Sequence, residues 1–163
     1  MARMAFRASK EYELKLLQFQ KSAPQVIIAA IYAGAKVIAD AIKKALGELP
    51  TDQFRHLKEG EKFNGPTEHE KKDLIAAFGV TPIKRGKDNN FSAKIGFDGY
   101  GSIPTRKYPS GVPNQLVARS IESGSTVRKK TPFVRSTVTR AKKAAQEAMV
   151  KAADAEIEKI FKS

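Results

Sequence analysis

The sequence predicts an α+β protein of one domain. Three observations carry this expectation. Apolar residues recur at helical spacing near the N-terminus, an alanine-rich helical run closes the chain, and two short β-like runs with a turn between them lie in the middle. At 163 residues, 41% of them apolar, the chain is long enough to build one real core. No internal repeat and no interior linker divides it, so residues 1–163 are read as a single domain.

Residues 1–23 read as an N-terminal arm with a short helix over Glu11 to Ser22, where Tyr12, Leu16 and Phe19 fall at helical spacing. Pro24 suits the first turn of a second helix with Ser22 as its cap, and that helix is expected to run to Leu46. Ile27, Ile31, Ala35, Ile38 and Ile42 share one face of it, while Gly47 and Pro50 are stop signals. At about 1.5 Å per residue it would be roughly 35 Å long, the spine of the fold. Its apolar stretch, Val26 to Ala35, is shorter than the roughly 20 residues of a membrane span and reads as a core helix. No secretory signal is visible in Met1 to Lys10, and no membrane partner is expected.

Thr51 to Gly65 is polar and gives no clear pattern. Thr67 and Glu70 then form the T-x-x-E capping-box pattern, predicting a helix over Glu68 to Phe78 that buries Leu74, Ile75 and Phe78 and ends at Gly79. Val80 to Lys84 and Phe91 to Phe97 are β-like, and Gly86 to Asn90 is turn chemistry, consistent with a hairpin. Phe91, Ala93, Ile95 and Phe97 alternate with polar or small residues, as one buried strand face requires. Residues 98–115 form a long loop rich in Gly, Pro and Tyr, expected to be an extended arm that docks on something. Leu116 to Ser123 is a short helix ended by Gly124, and residues 124–131 form a second extended, basic loop. Pro132 opens the last helix with Thr131 as cap, and Phe133, Thr137, Ala141, Ala144, Ala148 and Ala152 track one side of it towards Ile157, Ile160 and Phe161.

The chain carries 30 basic and 17 acidic residues, a formal net charge of +13. From Pro104 to Lys143 ten basic residues stand against the single acid Glu122, whereas Thr51 to Tyr100 is nearly neutral. Such a segment fits an anionic partner (nucleic acid, an acidic protein surface or lipid headgroups) or a solvated surface. A sequence-independent nucleic-acid binder would use it together with Tyr100 and Tyr108, although no helix-turn-helix, RNP-like strand or zinc module is readable. The alanine-dominated face of the last helix is too small to insert well into a membrane surface.

Catalytic chemistry is not expected. The absence of cysteine excludes disulfides, thiolate nucleophiles and thiolate metal sites, and fits a reducing compartment. The two histidines, His56 and His69, lie in polar stretches and read as surface residues. No G-x-x-x-x-G-K-[ST] or G-x-G-x-x-G pattern occurs, and Asp98-Gly99-Tyr100-Gly101 lacks the further carboxylates of a cation loop. No cofactor and no metal are expected.

One segment carries a resemblance. Val117-Ala118-Arg119-Ser120-Ile121-Glu122-Ser123-Gly124-Ser125, a basic spacer over Thr126 to Lys130, and Thr131-Pro132-Phe133-Val134-Arg135 follow in that order. Upstream lie Lys94-Ile95-Gly96-Phe97-Asp98-Gly99-Tyr100 and the Tyr108-Pro109 loop. This order resembles the head–tail joining, or tail-completion, family of phage morphogenesis proteins, well over about residues 92 to 150 and in outline elsewhere. The resemblance implies long N- and C-terminal helices packed on a small antiparallel sheet. It also implies a structural virion protein of the neck or tail, assembled in the bacterial host cytoplasm as a homo-oligomeric ring, six- or twelve-fold with the hexamer favoured.

Its implied partners are neighbouring head-completion or connector proteins, tail-terminator or tail-tube proteins, and non-specific contact with genomic DNA. The implied assembly residues are Tyr100, Arg106, Lys107, Tyr108, Arg119, Glu122, Gly124, Arg128, Lys129, Lys130, Pro132 and Phe133. Glu122 is expected either to pair with a basic residue of the next subunit or to be an exposed helix-end carboxylate. Pro132 and Phe133 are expected as a capping proline and a core anchor whose geometry serves assembly.

Overall fold

The computed structural model describes residues 10–162. The segment before Lys10, the side chain of Tyr12 and the terminal Ser163 lie outside the described residues, and with them the first part of the expected N-terminal arm. The element order is α1 (Lys10–Glu48), α2 (Glu68–Ala77), β1 (Phe78–Val80), β2 (Lys84–Arg85), β3 (Phe91–Ser92), β4 (Ile95–Phe97), α3 (Asn114–Ser123) and α4 (Phe133–Lys162). The α+β architecture expected from the sequence, with long terminal helices and a small antiparallel sheet, is the one observed.

The two helices expected before Leu46 are one. α1 runs 39 residues through Pro24, about 58 Å at 1.5 Å per residue. A proline inside a helix removes one backbone hydrogen bond and crowds the preceding turn, at about 3 kcal/mol. Packing on α4 offsets this, because the two helices run antiparallel and touch on both sides of Pro24. Phe19 stacks on Phe161 with ring centroids 6.1 Å apart. Fifteen residues on, Gly34 lies so close to Met149 that an added Cβ would stand 2.6 Å from its Cγ. A Cβ at position 34 would force the Met149 side chain to move, while the nearest backbone atom, Ala145 O, would stay at ordinary contact distance, 3.5 Å.

A window within Glu13–Glu48 is long and apolar enough to cross a membrane, with mean hydropathy 1.6. Yet α1 lies against α4, which carries Arg140, Lys143, Glu147, Lys151 and Asp154 on its course. Those charges would be costly inside a bilayer.

The core gathers at one end of this helix pair. Ile42, Leu46 and Leu49 from the end of α1 meet Leu74 of α2, Val117, Ala118 and Ile121 of α3 and Phe133 of α4. Leu46, Leu74 and Ile121 are wholly buried, each contributing about 1.5–3 kcal/mol. The expected capping box of α2 is present: the Thr67 N–H donates to Glu70 at 2.8 Å and the Glu70 N–H donates to Thr67 Oγ1 at 3.2 Å. The helix stops at Ala77, because Phe78 already pairs with Phe97 across β1 and β4.

The hairpin is real but interrupted. β1 pairs with β4 and β2 with β3, both antiparallel. Between Val80 and Lys84 four steps of one strand face three of the other, so the register slips by one residue. Pro82 lies in this slip, where it need donate no ladder hydrogen bond. Phe91, Ala93, Ile95 and Phe97 are half-buried, as their parity predicts, and Phe97 packs on Phe78 and Phe133 with ring centroids 5.2 and 6.3 Å away.

Two further expectations are corrected. On α4, Ala144 is exposed and Ala145 is buried. After Thr137 and Ala141 a step of four reaches the α1 contact, because Gly34 admits a neighbour there. Residues 98–115 are not an extended arm. The loop doubles back, with the Gly101 N–H donating to Val112 O at 2.8 Å and Tyr100 bridging Pro113, and α3 begins already at Asn114.

Candidate assembly junction

The segment that carries the family resemblance folds into the joint between α3 and α4. α3 buries Asn114, Val117, Ala118 and Ile121 along one side. Asn114 ties the preceding loop to the helix: its N–H donates to Gly99 O and its Nδ2 to Asp98 O, at 3.1 and 2.9 Å. At the far end Gly124 adopts φ 76° and ψ 169°, a conformation open essentially to glycine alone. The Lys130 backbone passes 3.1 Å from where its Cβ would be.

Glu122 is not an exposed helix-end carboxylate. Its carboxylate reaches across the turn and accepts from the Val134 N–H at 2.8 Å and the Arg135 N–H at 3.0 Å. These donors belong to the first turn of α4, where no intrahelical acceptor exists. An anion there also meets the positive end of the helix dipole. The Glu122 side chain is 11% exposed, so it is not a free helix-end acid. Arg135 approaches it at 3.6 Å but is itself largely in solvent. Thr131, the expected cap, instead offers its carbonyl to the Phe133 N–H, while its own N–H donates to Ile121 O.

Arg128 is likewise an internal residue. Its Nη2 donates to both oxygens of Glu70, at 3.0 and 2.8 Å, and its Nη1 donates to Ser120 Oγ at 2.8 Å. The side chain is 11% exposed, and its Nε is buried with no partner. Glu70 thus closes the α2 cap and holds the basic loop at once. The backbone of that loop is fastened too: the Phe63 N–H donates to Val127 O and the Lys129 N–H to Phe63 O, at 2.8 and 2.9 Å. Residues 124–131 are therefore a pinned strap, not the extended loop expected.

Of the assembly residues expected from the sequence, Glu122, Gly124, Arg128 and Phe133 lie within this joint, and Pro132 marks the turn into α4. Arg119, Lys129 and Lys130 are exposed around it, joined by Arg135, Arg140, Lys142 and Lys143 on the first turns of α4. Tyr100, Arg106, Lys107 and Tyr108 belong to the folded-back loop, where the Lys107 ammonium sits 5.5 Å from the Tyr108 ring centroid.

No sequence pattern points to Asp73, whose carboxylate accepts from Ser102 N–H at 2.7 Å and Ser102 Oγ at 3.0 Å and so anchors that loop to α2. Asp52 was missed as well. It accepts from Asn64 and Gln53 N–H groups and from Arg55, which bridges to Glu61. The Asn64 N–H, followed by Arg55, holds the Asp52 carboxyl below its usual range, and Arg55 with the Lys58 N–H does the same for Glu61.

His56 and His69 are exposed, and among the described residues no group of three or more His, Cys, Asp or Glu could hold a metal ion. No protein-family model, no curated protein and no solved structure matches the chain.

Proposed function

We propose that this chain is a structural, non-catalytic subunit of a tailed-phage neck, a tail-completion protein that helps join tail to head as part of a homo-oligomeric ring. The observation that carries the reading is the joint itself. The residues that resemble the tail-completion family are those that fix the angle between α3 and α4 and pin the strap, leaving Arg119, Lys129, Lys130, Arg135, Arg140, Lys142 and Lys143 exposed on rigid elements. A fixed cationic surface suits the side of a ring facing the DNA path or an acidic neighbouring ring protein. Arg128 contributes to this only by holding the strap.

The test is genetic and biochemical, in the phage or prophage that encodes the chain. Replacing Lys129 and Lys130 with glutamate is expected to leave the protein folded but to yield unjoined heads and tails. The protein is expected in purified virions at the head-proximal end of the tail. Normal infectious particles lacking it refute the proposal.

The exposed cations also favour a second reading, sequence-independent binding of nucleic acid. Affinity for duplex DNA would then fall by about 0.9 log units per phosphate contact per decade of salt. A flat slope removes this reading.

A further inference from the structure

The apolar stripe of α1 is only partly covered. Ile38, Ile42 and Leu46 are packed in the core. The same stripe continues towards the N-terminus as Ala35, Ile31, Ile27 and Pro24, at steps of three and four. No charged residue occurs from Ser22 to Ala35. Here the core of α2, α3 and the sheet no longer reaches it, and α4 covers only the adjoining side: Ile27 is 42% and Leu17 54% exposed, while Pro24, Ile31 and Ala35 are half-buried, with Tyr32 exposed beside them. The stripe runs about 27 Å along α1 from Leu17 to Ala35 at 1.5 Å per residue.

Charge selects the occupant. The overhanging arm, residues 10–35 of α1 with 145–162 of α4, carries six basic and six acidic residues, so it is neutral while the chain as a whole is +13. Two arms meet without like-charge repulsion, and the basic heads stay at opposite ends. The spacing of the stripe is that of a helix that packs ridges into grooves on another helix. A second α1 supplies that partner by symmetry, with the same patch on both copies. Bilayer insertion would carry the charged flank of α4 with it.

We propose that the stripe Leu17–Pro24–Ile27–Ile31–Ala35 is the contact of a two-fold dimer of this chain, α1 antiparallel to α1, with Ile31 at the axis and Ile27 of each copy over Ala35 of the other. The dimer is a property of the free protein and stands whether or not it enters a phage neck.

The chain has no cysteine, so Ile31→Cys introduces a single thiol. Under mild oxidation this variant is expected to give a covalent dimer at micromolar protein, whereas Lys151→Cys, on the exposed side of α4, is not. By sedimentation equilibrium the wild type is expected as a dimer and Ile27→Glu/Ile31→Glu as a monomer with an unchanged far-UV CD spectrum. A monomeric wild type at tens of micromolar, a dimer that survives the double substitution, or equal cross-linking at positions 31 and 151 overturns the proposal. So does a monomer that floats with neutral phosphatidylcholine vesicles through the same residues, since lipid is then the occupant. Absence of the protein from virions refutes the neck reading and leaves the dimer standing.

Discussion

Removing the Glu122 carboxylate should uncouple α4 from α3. The substitution Glu122→Ala deletes both acceptors for the Val134 and Arg135 N–H groups. Loss of an N-terminal cap costs about 0.5–2 kcal/mol. Loss of a partly buried anion at the positive end of the dipole adds about 0.3–1 kcal/mol. The 3.6 Å approach of the exposed Arg135 adds little. Together these give about 1–3 kcal/mol, or a fall in Tm of about 2–12 °C for a chain of this size. Glu122→Gln keeps a neutral acceptor and should lose less than half of that.

The assay is thermal and urea unfolding at one fixed protein concentration, because self-association shifts apparent stability by mass action. Repeating it in the Ile27→Glu/Ile31→Glu background removes that linkage. A loss below about 0.5 kcal/mol in this background, within the range of an ordinary surface change, refutes the cap. A loss only in the associating background would instead assign Glu122 to an interface between copies.

Other outcomes follow from the same joint. Arg128→Ala and Glu70→Gln should each destabilise by about 1–3 kcal/mol, less than the full cost of breaking a deeply buried pair because Glu70 is partly exposed. A double-mutant cycle on the two should show a coupling above about 0.5 kcal/mol, and additivity refutes the pair. Gly124→Ala should lose about 1–3 kcal/mol in urea unfolding, since its backbone conformation strains any residue with a Cβ and Lys130 blocks relaxation. Asp52 and Glu61 have folded pKa values below their ordinary 3.8 and 4.5. Their contribution is present above the ordinary values and is lost as pH falls through the folded ones. Asp52→Asn should therefore flatten the acid limb of a stability–pH profile below about pH 4 and leave its slope near neutrality unchanged.

What the sequence made legible was local. The capping box of α2 spans three residues, and the strand parity of Phe91 to Phe97 needs only alternate positions, so both could be read directly. Pro24 could not, because the contacts that keep α1 helical through it come from Phe161 and Met149, more than a hundred residues away. Likewise Arg128 meets Glu70 across 58 positions, and Asp73 meets Ser102 across 29. Glu122 was singled out as the one acid in a basic stretch, yet its role required knowing how sharply the chain turns at Gly124. A carboxylate beside ten cations reads as an ion-pair partner, while the fold uses it first on backbone N–H groups, with the exposed Arg135 approaching only at 3.6 Å.

The pairing of α1 with α4 also sets a schedule. α1 is finished at Glu48, but the helix that covers it starts only at Phe133. At about 5–20 residues per second on the ribosome, the apolar side of the first helix waits roughly 5–20 s for its intramolecular neighbour. During that interval another nascent chain on the same message offers an identical helix. Assembly between copies can thus begin before either chain is complete, and substitutions that slow translation between Glu48 and Phe133 should change the yield of assembled protein without changing a single contact in the finished fold.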